Sequence, residues 1–150
     1  GTWSVKEVNS IVIKQEEPYD FISLEEGIPI MCIENNSELG ISNGDIGVLI
    51  GKNKTRRFLF RKFNKDNELI FSLIEPNRLE KVVPALAVTI HKSQGSEAEK
   101  VILLWNKEKK SKRMEYLSDG FKFFRDNYEK RLFYTGITRA KKNLDIFYLD

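Results

Sequence analysis

Two short segments of the chain concentrate side chains that can bind phosphate groups and nucleotides: residues 89–97 and 134–140. Arg139, in the second segment, carries a planar guanidinium that offers two parallel donors, an arrangement that a lysine point charge does not reproduce. Phosphoryl transfer to water builds negative charge around the transferred group, so Arg139 is a candidate catalytic residue. Gly95, in the first segment, would let the backbone approach a bound nucleotide without a Cβ in the way.

The elements around these segments are predicted to form an α/β layer. Residues 89–94 favour a short helix that stops at Gly95. The continuous apolar run 101–105 is typical of a strand covered on both faces in a parallel sheet. Residues 121–137 have a helical pattern, and residues 144–149 predict another strand. The order strand, helix, strand is typical of nucleotide-handling folds.

The first half of the chain has a different pattern of apolar and turn-forming residues. Residues 5–15 alternate weakly between apolar and polar, which favours one short strand. Several short β-type runs follow, with turn-forming residues between them: 28–33, 47–50, 57–63 and 69–74. Strands at this spacing predict a small antiparallel barrel over about residues 27–80.

Composition limits the class of protein. A hydrophobic content of 41% with 31% charged residues is ordinary for a folded globular chain, and the net charge of +3 permits a nucleic-acid partner without arguing for one. One cysteine and one histidine exclude an internal disulfide and a four-ligand zinc site, which favours a reducing, cytoplasmic location. No apolar run approaches the roughly 20 residues of a membrane span, so we expect no membrane association. A start at Gly1 rather than Met fits a cloned or processed fragment.

Residues 89–97 and 134–140 resemble motifs V and VI of superfamily 1 DNA helicases, in the order in which that family carries them. Residues 27–31 and 39–47 are similar to the segment entering a small barrel in the RecD branch, the alpha subunit of exodeoxyribonuclease V. The resemblance covers residues 27–150.

The resemblance implies an α/β fold with a RecA-like second motor domain of the P-loop NTPase type. That domain would comprise residues 1–26 and 81–150, and an SH3-like antiparallel β-barrel would be inserted at residues 27–80. The implied activity is ATP-dependent 5′ to 3′ translocation on single-stranded DNA, in double-strand-break repair and recombination. The implied partners are RecB-like and RecC-like subunits.

Roles for individual residues also follow from the resemblance. Arg139 would be an arginine finger that reaches ATP bound on the first motor domain. Gln94 would sense the γ-phosphate, Gly95 would lie beside the nucleotide, and Glu97 would accept a hydrogen bond from its ribose. On the same segment, three residues would hold the single-strand backbone: Thr89, His91 and Lys92.

Several neighbouring side chains have simpler explanations. Phe133 and Tyr134 are expected to pack the helix against the sheet, and Ile137 to lie in the core. Residues 43–45 are first of all turn-forming, and the lysine-rich residues 107–113 predict a solvated loop. Four phenylalanines of the predicted strands could stack on bases, although strand alternation places some of them in the core: Phe58, Phe60, Phe63 and Phe71.

The 150 residues contain no Gly-x-x-x-x-Gly-Lys-Ser/Thr loop and no acidic pair after an apolar strand. ATP and Mg²⁺ would therefore depend on other parts of a full-length protein, and we predict that this chain alone is inactive. Two alternatives stay open. The chain could belong to a non-catalytic module that binds single-stranded DNA or protein and keeps relic motor motifs, or to a stand-alone RecD-like helicase without partners.

Overall fold

The computed structural model describes residues 4–106 and 119–149, and the chain divides into two compact units. One unit is Val5–Ala87, and the other contains Val88–Asp150 together with Gly1–Ser4. The predicted domain boundaries at residues 26 and 81 stay a prediction, and the predicted loop at 107–113 lies outside the described residues. No helix in the described part of the chain is long and apolar enough to cross a membrane.

The first unit begins with a helix, α1 (Val5–Ile13), where the sequence predicted a strand. Asn9 is buried, and Ile13, one helical turn later, packs against the core of the unit. The Asn9 side chain accepts a hydrogen bond from Ala87 N at 2.8 Å and donates one to Ala87 O at 2.9 Å. A polar residue at the buried position concealed the four-residue spacing of this helix, so the strand prediction was wrong.

The rest of the unit is an antiparallel sheet of five strands: β1 (Pro29–Cys32), β2 (Ile46–Ile50), β3 (Arg57–Phe63), β4 (Leu69–Ile74) and β5 (Val82–Pro84). Their order across the sheet is β4-β3-β2-β1-β5. Two 3₁₀ turns, Asn53–Thr55 and Pro76–Arg78, lie in its connections. All four predicted strands are present, two of them with the predicted bounds.

The sheet does not close into the expected barrel within the described residues. Strands β4 and β5 lie at its two edges, and neither pairs with the other. Strand β5 has three residues and ends at Pro84, which has no N–H to donate to a further strand. The antiparallel arrangement is confirmed, whereas the sheet is open.

Strand alternation divides the aromatic side chains of this sheet between two faces. Phe58 and Phe60 are fully buried in the core, together with Ile30, Cys32 and Leu49. Phe63 and Phe71 are 61% and 60% exposed on the opposite face. Residues 43–45 form the predicted turn, in which Asp45 N donates to Ser42 O at 3.0 Å.

The second unit is built from β6 (Ala98–Asn106), α2 (Asp119–Ile137) and β7 (Ala140–Leu149). The two strands pair in parallel, as the apolar run predicted. Leu103 is buried but Ile102 is 57% exposed, so the described residues cover only one face of β6.

Helix α2 packs on this sheet through Phe133. The centroid of its ring lies 4.9 Å from the ring centroid of Trp105 and 6.4 Å from that of Tyr148. The packing predicted for Phe133 is therefore confirmed. The packing predicted for Tyr134 was wrong: its side chain is 67% exposed, because it lies on the next position around the helix.

Candidate functional site

Residues 89–97, called the turn segment below, form consecutive turns instead of the predicted helix. Ser93 N donates to both Thr89 O and Ile90 O at 3.1 Å, so one helical turn starts but does not continue. The hydroxyls of Ser93 and Ser96 donate to Ile90 O and Ser93 O, each at 2.7 Å. Serine side chains that bond to nearby carbonyls compete with the helical pattern, which explains why this prediction failed. Gly95 ends the turns with a φ of +80°, as expected for a glycine stop.

The turn segment is attached to the end of α2 and the start of β7. Ala98 N donates to Arg139 O at 2.9 Å, where β6 and β7 begin side by side. Gly136 is buried at the end of α2, and a Cβ there would lie 3.2 Å from Ile90 Cδ1 and 3.1 Å from Leu103 Cδ1. The absence of a side chain at Gly136 thus lets the helix, the sheet and the turn segment meet closely.

Arg139 joins the two predicted motifs directly. Its Nη1 donates to Ser96 O at 3.1 Å, its Nε to Thr135 O at 3.1 Å, and its Nη2 to the Thr138 hydroxyl at 3.2 Å. These bonds use three of the five N–H donors of a guanidinium. The side chain is half-buried, so it is held in place while part of it still faces solvent.

The residues predicted to contact nucleotide lie at the C-terminal end of the turn segment. Gln94 and Gly95 are exposed, and Gln94 N donates to His91 O at 3.3 Å. The Glu97 carboxylate forms an ion pair with Lys141 Nζ at 3.2 Å, and both side chains are more than half exposed. Glu97 is therefore accessible to a ligand, in competition with a lysine of β7.

The residues predicted to contact DNA lie at the N-terminal end of the same segment, and all three are exposed: Thr89, His91 and Lys92. The Thr89 hydroxyl accepts a hydrogen bond from Lys92 N at 3.3 Å. His91 Nε2 lies 2.6 Å from the hydroxyl of Tyr128, and the planes of the two rings, whose centroids are 6.1 Å apart, differ by 24°.

Tyr128 is the contact that sequence reasoning missed. It lies on α2 seven residues before Thr135, whose carbonyl accepts from Arg139, and residues seven apart lie on nearly the same side of a helix. That spacing was the signal in the sequence that could have placed Tyr128 on the side of α2 that faces the candidate site. Among the described residues, no group of three or more His, Cys, Asp or Glu side chains is arranged to hold a metal ion.

A model of the UvrD-like helicase C-terminal domain matches residues 34–150, most of the chain. The chain belongs to this family. The match includes both motif segments and strands β2 to β7, so the UvrD-like helicase C-terminal domain contains the whole candidate site.

Curated relatives within this helicase group carry the name RecBCD enzyme subunit RecD. The protein from Buchnera aphidicola of Acyrthosiphon pisum is 38% identical over 133 residues, which are 86% of this chain and 19% of the relative. The protein from Haemophilus influenzae is 31% identical over 121 residues, covering 81% of this chain and 15% of the relative. The chain thus spans less than a fifth of the length of these relatives.

A solved helicase shares the fold. The crystal structure of Pif1 helicase from Bacteroides, in complex with ADP-AlF3 and single-stranded DNA, superimposes with a TM-score of 0.51. Sequence identity is 18%, and the alignment covers 95% of this chain and 37% of Pif1. At this identity the likeness shows the mixed α/β fold of a helicase C-terminal domain.

Proposed function

We propose that the full-length protein is an ATP-dependent DNA helicase of the RecD type, in which this chain supplies one wall of the ATP site and part of the DNA-binding surface. ATP with Mg²⁺ would bind between this wall and a first motor domain outside the chain. The relatives named RecBCD enzyme subunit RecD support assembly with RecB-like and RecC-like subunits. From the resemblance to the RecD branch, we propose 5′ to 3′ movement on single-stranded DNA in double-strand-break repair. Residues 27–80 would act as an inserted SH3-like module of a RecA-like domain.

The observation that carries the proposal is the position of Arg139. Its guanidinium bonds to Ser96 O in one motif segment and to Thr135 O in the other. An arginine that stabilises a transferring phosphoryl group must be oriented before the reaction, yet must keep donors available. Three anchoring bonds with two N–H groups left over satisfy both requirements.

The turn segment connects the proposed nucleotide contacts to the proposed DNA contacts. Gln94 and Glu97 lie at its C-terminal end, and His91 and Lys92 lie at its N-terminal end. Backbone hydrogen bonds within the segment, including Gln94 N to His91 O at 3.3 Å, make it a single hydrogen-bonded piece. A displacement at the nucleotide end would be passed to the residues that hold the strand, which is how domain closure around ATP could change the grip.

The first test is ATP turnover by the full-length protein, with and without single-stranded DNA, comparing wild type with Arg139→Ala. We expect turnover to fall by roughly 10³-fold or more, the usual effect of losing an arginine finger, while DNA binding survives. Arg131→Ala is the matched control, since Arg131 is an exposed arginine of α2, the helix that ends two residues before Arg139. Because Arg139 also anchors Ser96, the thermal midpoint of each variant should be measured.

A non-catalytic binding module is the second candidate. Phe63 and Phe71 are exposed on one face of the antiparallel sheet, at diagonally neighbouring positions of β3 and β4. Aromatic side chains at such positions can stack on successive bases. Single-strand binding by a full-length protein without DNA-stimulated turnover, or turnover indifferent to Arg139→Ala, would favour the module over the motor.

A further inference from the structure

We propose that Tyr128 is a positioning residue for His91, whose imidazole it orients toward the phosphate backbone of a single DNA strand. The inference rests on the proposed function, because it assumes that His91 contacts DNA. It concerns a residue of α2 that lies outside both motif segments.

The geometry between the two side chains is specific. The Tyr128 hydroxyl lies 2.6 Å from His91 Nε2, within hydrogen-bonding distance, and the rings are nearly parallel at an angle of 24°. Tyr128 is 46% exposed and His91 is exposed, so the pair lies at the surface where a strand can reach it. The hydrogen bond joins the edge of the imidazole to the tyrosine hydroxyl and thereby restricts rotation of the imidazole.

One arrangement of this hydrogen bond, in which the tyrosine hydroxyl is the donor to the neutral ring, suits a contact between Nδ1 and phosphate. When the tyrosine hydroxyl donates to Nε2, the neutral ring carries its proton on Nδ1. When the ring is positively charged, Nε2 donates to the tyrosine oxygen, and Nδ1 again carries a proton. In both states Nδ1 presents an N–H, which is the group that a phosphate oxygen accepts from. Without the hydroxyl, no donor at Nε2 favours the tautomer with a proton on Nδ1, and the neutral ring can present the Nδ1 lone pair to the phosphate instead.

The position of Tyr128 on α2 connects this contact to the catalytic end of the unit. The same helix contributes Thr135, whose carbonyl holds Arg139, and Gly136, which packs beside Ile90 of the turn segment. Helix α2 therefore supports the turn segment at both ends. Tyr128 contacts its N-terminal part, and Arg139, held by the Thr135 carbonyl, bonds to Ser96 O in its C-terminal part. A shift of the helix during ATP hydrolysis would move the DNA-contacting imidazole with it.

A double-mutant cycle in the full-length protein tests the proposal. The variants are Tyr128→Phe, His91→Ala and the combination, and the readouts are the oligo-dT concentration giving half-maximal ATPase stimulation and the turnover at saturating oligo-dT. In Tyr128→Phe, phenylalanine keeps the aromatic ring and removes only the hydroxyl. Loss of one such hydrogen bond should raise the half-saturating concentration roughly threefold to tenfold. Turnover of Tyr128→Phe at saturating DNA should stay within about twofold.

The cycle separates positioning from a general structural role. If Tyr128 acts through His91, Tyr128→Phe has no further effect in the His91→Ala background. Tyr148→Phe is the control, because Tyr148 is an exposed tyrosine of β7 outside both motif segments, and it should leave both readouts unchanged.

Several results would overturn the proposal. An equal penalty for Tyr128→Phe in both backgrounds would mean that Tyr128 acts independently of His91. No penalty for Tyr128→Phe, while His91→Ala weakens DNA binding, would remove the positioning role and leave the helicase function intact. Wild-type protein without DNA-stimulated turnover would instead contradict the proposed function, and the inference would fall with it.

Discussion

Glu97 and Glu99 are two nearby glutamates in similar ion pairs, and only Glu97 belongs to the predicted nucleotide site. Glu97 pairs with Lys141 at 3.2 Å and Glu99 with Lys142 at 2.8 Å, and all four side chains are more than half exposed. Exposed pairs of this kind contribute roughly 0–1 kcal/mol to stability. The two glutamates therefore form a matched pair for testing nucleotide binding.

In the full-length protein we expect Glu97→Ala to raise the KM for ATP about threefold to tenfold, because one hydrogen bond to the ribose is lost. The kcat should change little, since the ribose is remote from the transferred phosphoryl group. Glu99→Ala should leave both constants unchanged. Equal effects of the two substitutions on KM would contradict the role given to Glu97.

Residue type alone was enough to select Arg139 as a candidate, because a guanidinium suits a transferring phosphoryl group. The resemblance to helicase motifs added Gln94 and Glu97. Tyr128 could not be selected in this way. A tyrosine on a helix is usually a packing residue, and its role depends on which loop the helix lies against.

The end of α2 depends on a glycine that packs closely with two other elements. A Cβ on Gly136 would lie 3.1 Å from Leu103 Cδ1 and 3.2 Å from Ile90 Cδ1, both at the ends of flexible side chains. Gly136→Ala should therefore change the free energy of unfolding by less than about 1 kcal/mol, because a better helix propensity offsets the small adjustment.

Gly136→Val should lower the free energy of unfolding by about 1–3 kcal/mol, since a larger side chain overpacks the same space. Urea denaturation of both variants alongside wild type measures the difference. If the valine variant unfolds at the same denaturant concentration as the alanine variant, the close packing around Gly136 is not present in solution.

Element predictions succeeded where a local pattern and its tertiary surroundings agreed. Strands β3 and β4 have the predicted bounds, because alternation and turn residues define both of their ends. Helix α1 was missed because its buried position is Asn9, which the hydrogen bonds to Ala87 make acceptable. The short helix at 89–94 did not form, because six residues barely nucleate a helix and serine hydroxyls compete for its carbonyls.

At the scale of the whole molecule, the 150 residues contain no phosphate-binding loop, and the proposed function gives them only one wall of an ATP site. The purified chain should therefore show negligible Mg²⁺-dependent ATP turnover under conditions in which the full-length protein is active. Circular dichroism should confirm that the chain is folded. ATP turnover by the chain that Arg139→Ala abolishes would contradict this prediction.

The sequence by itself determined the helicase family and the α/β order of the second unit, and it predicted the side chains suited to phosphate and DNA. Those features depend on residue type and local spacing, which a single sequence displays. Only the tertiary structure decided that α1 is a helix, that the antiparallel sheet stays open, and that Tyr128 meets His91. Each of these depends on contacts between residues far apart in the chain, 78 positions for Asn9 with Ala87 and 37 for Tyr128 with His91, and local periodicity carries no record of such contacts.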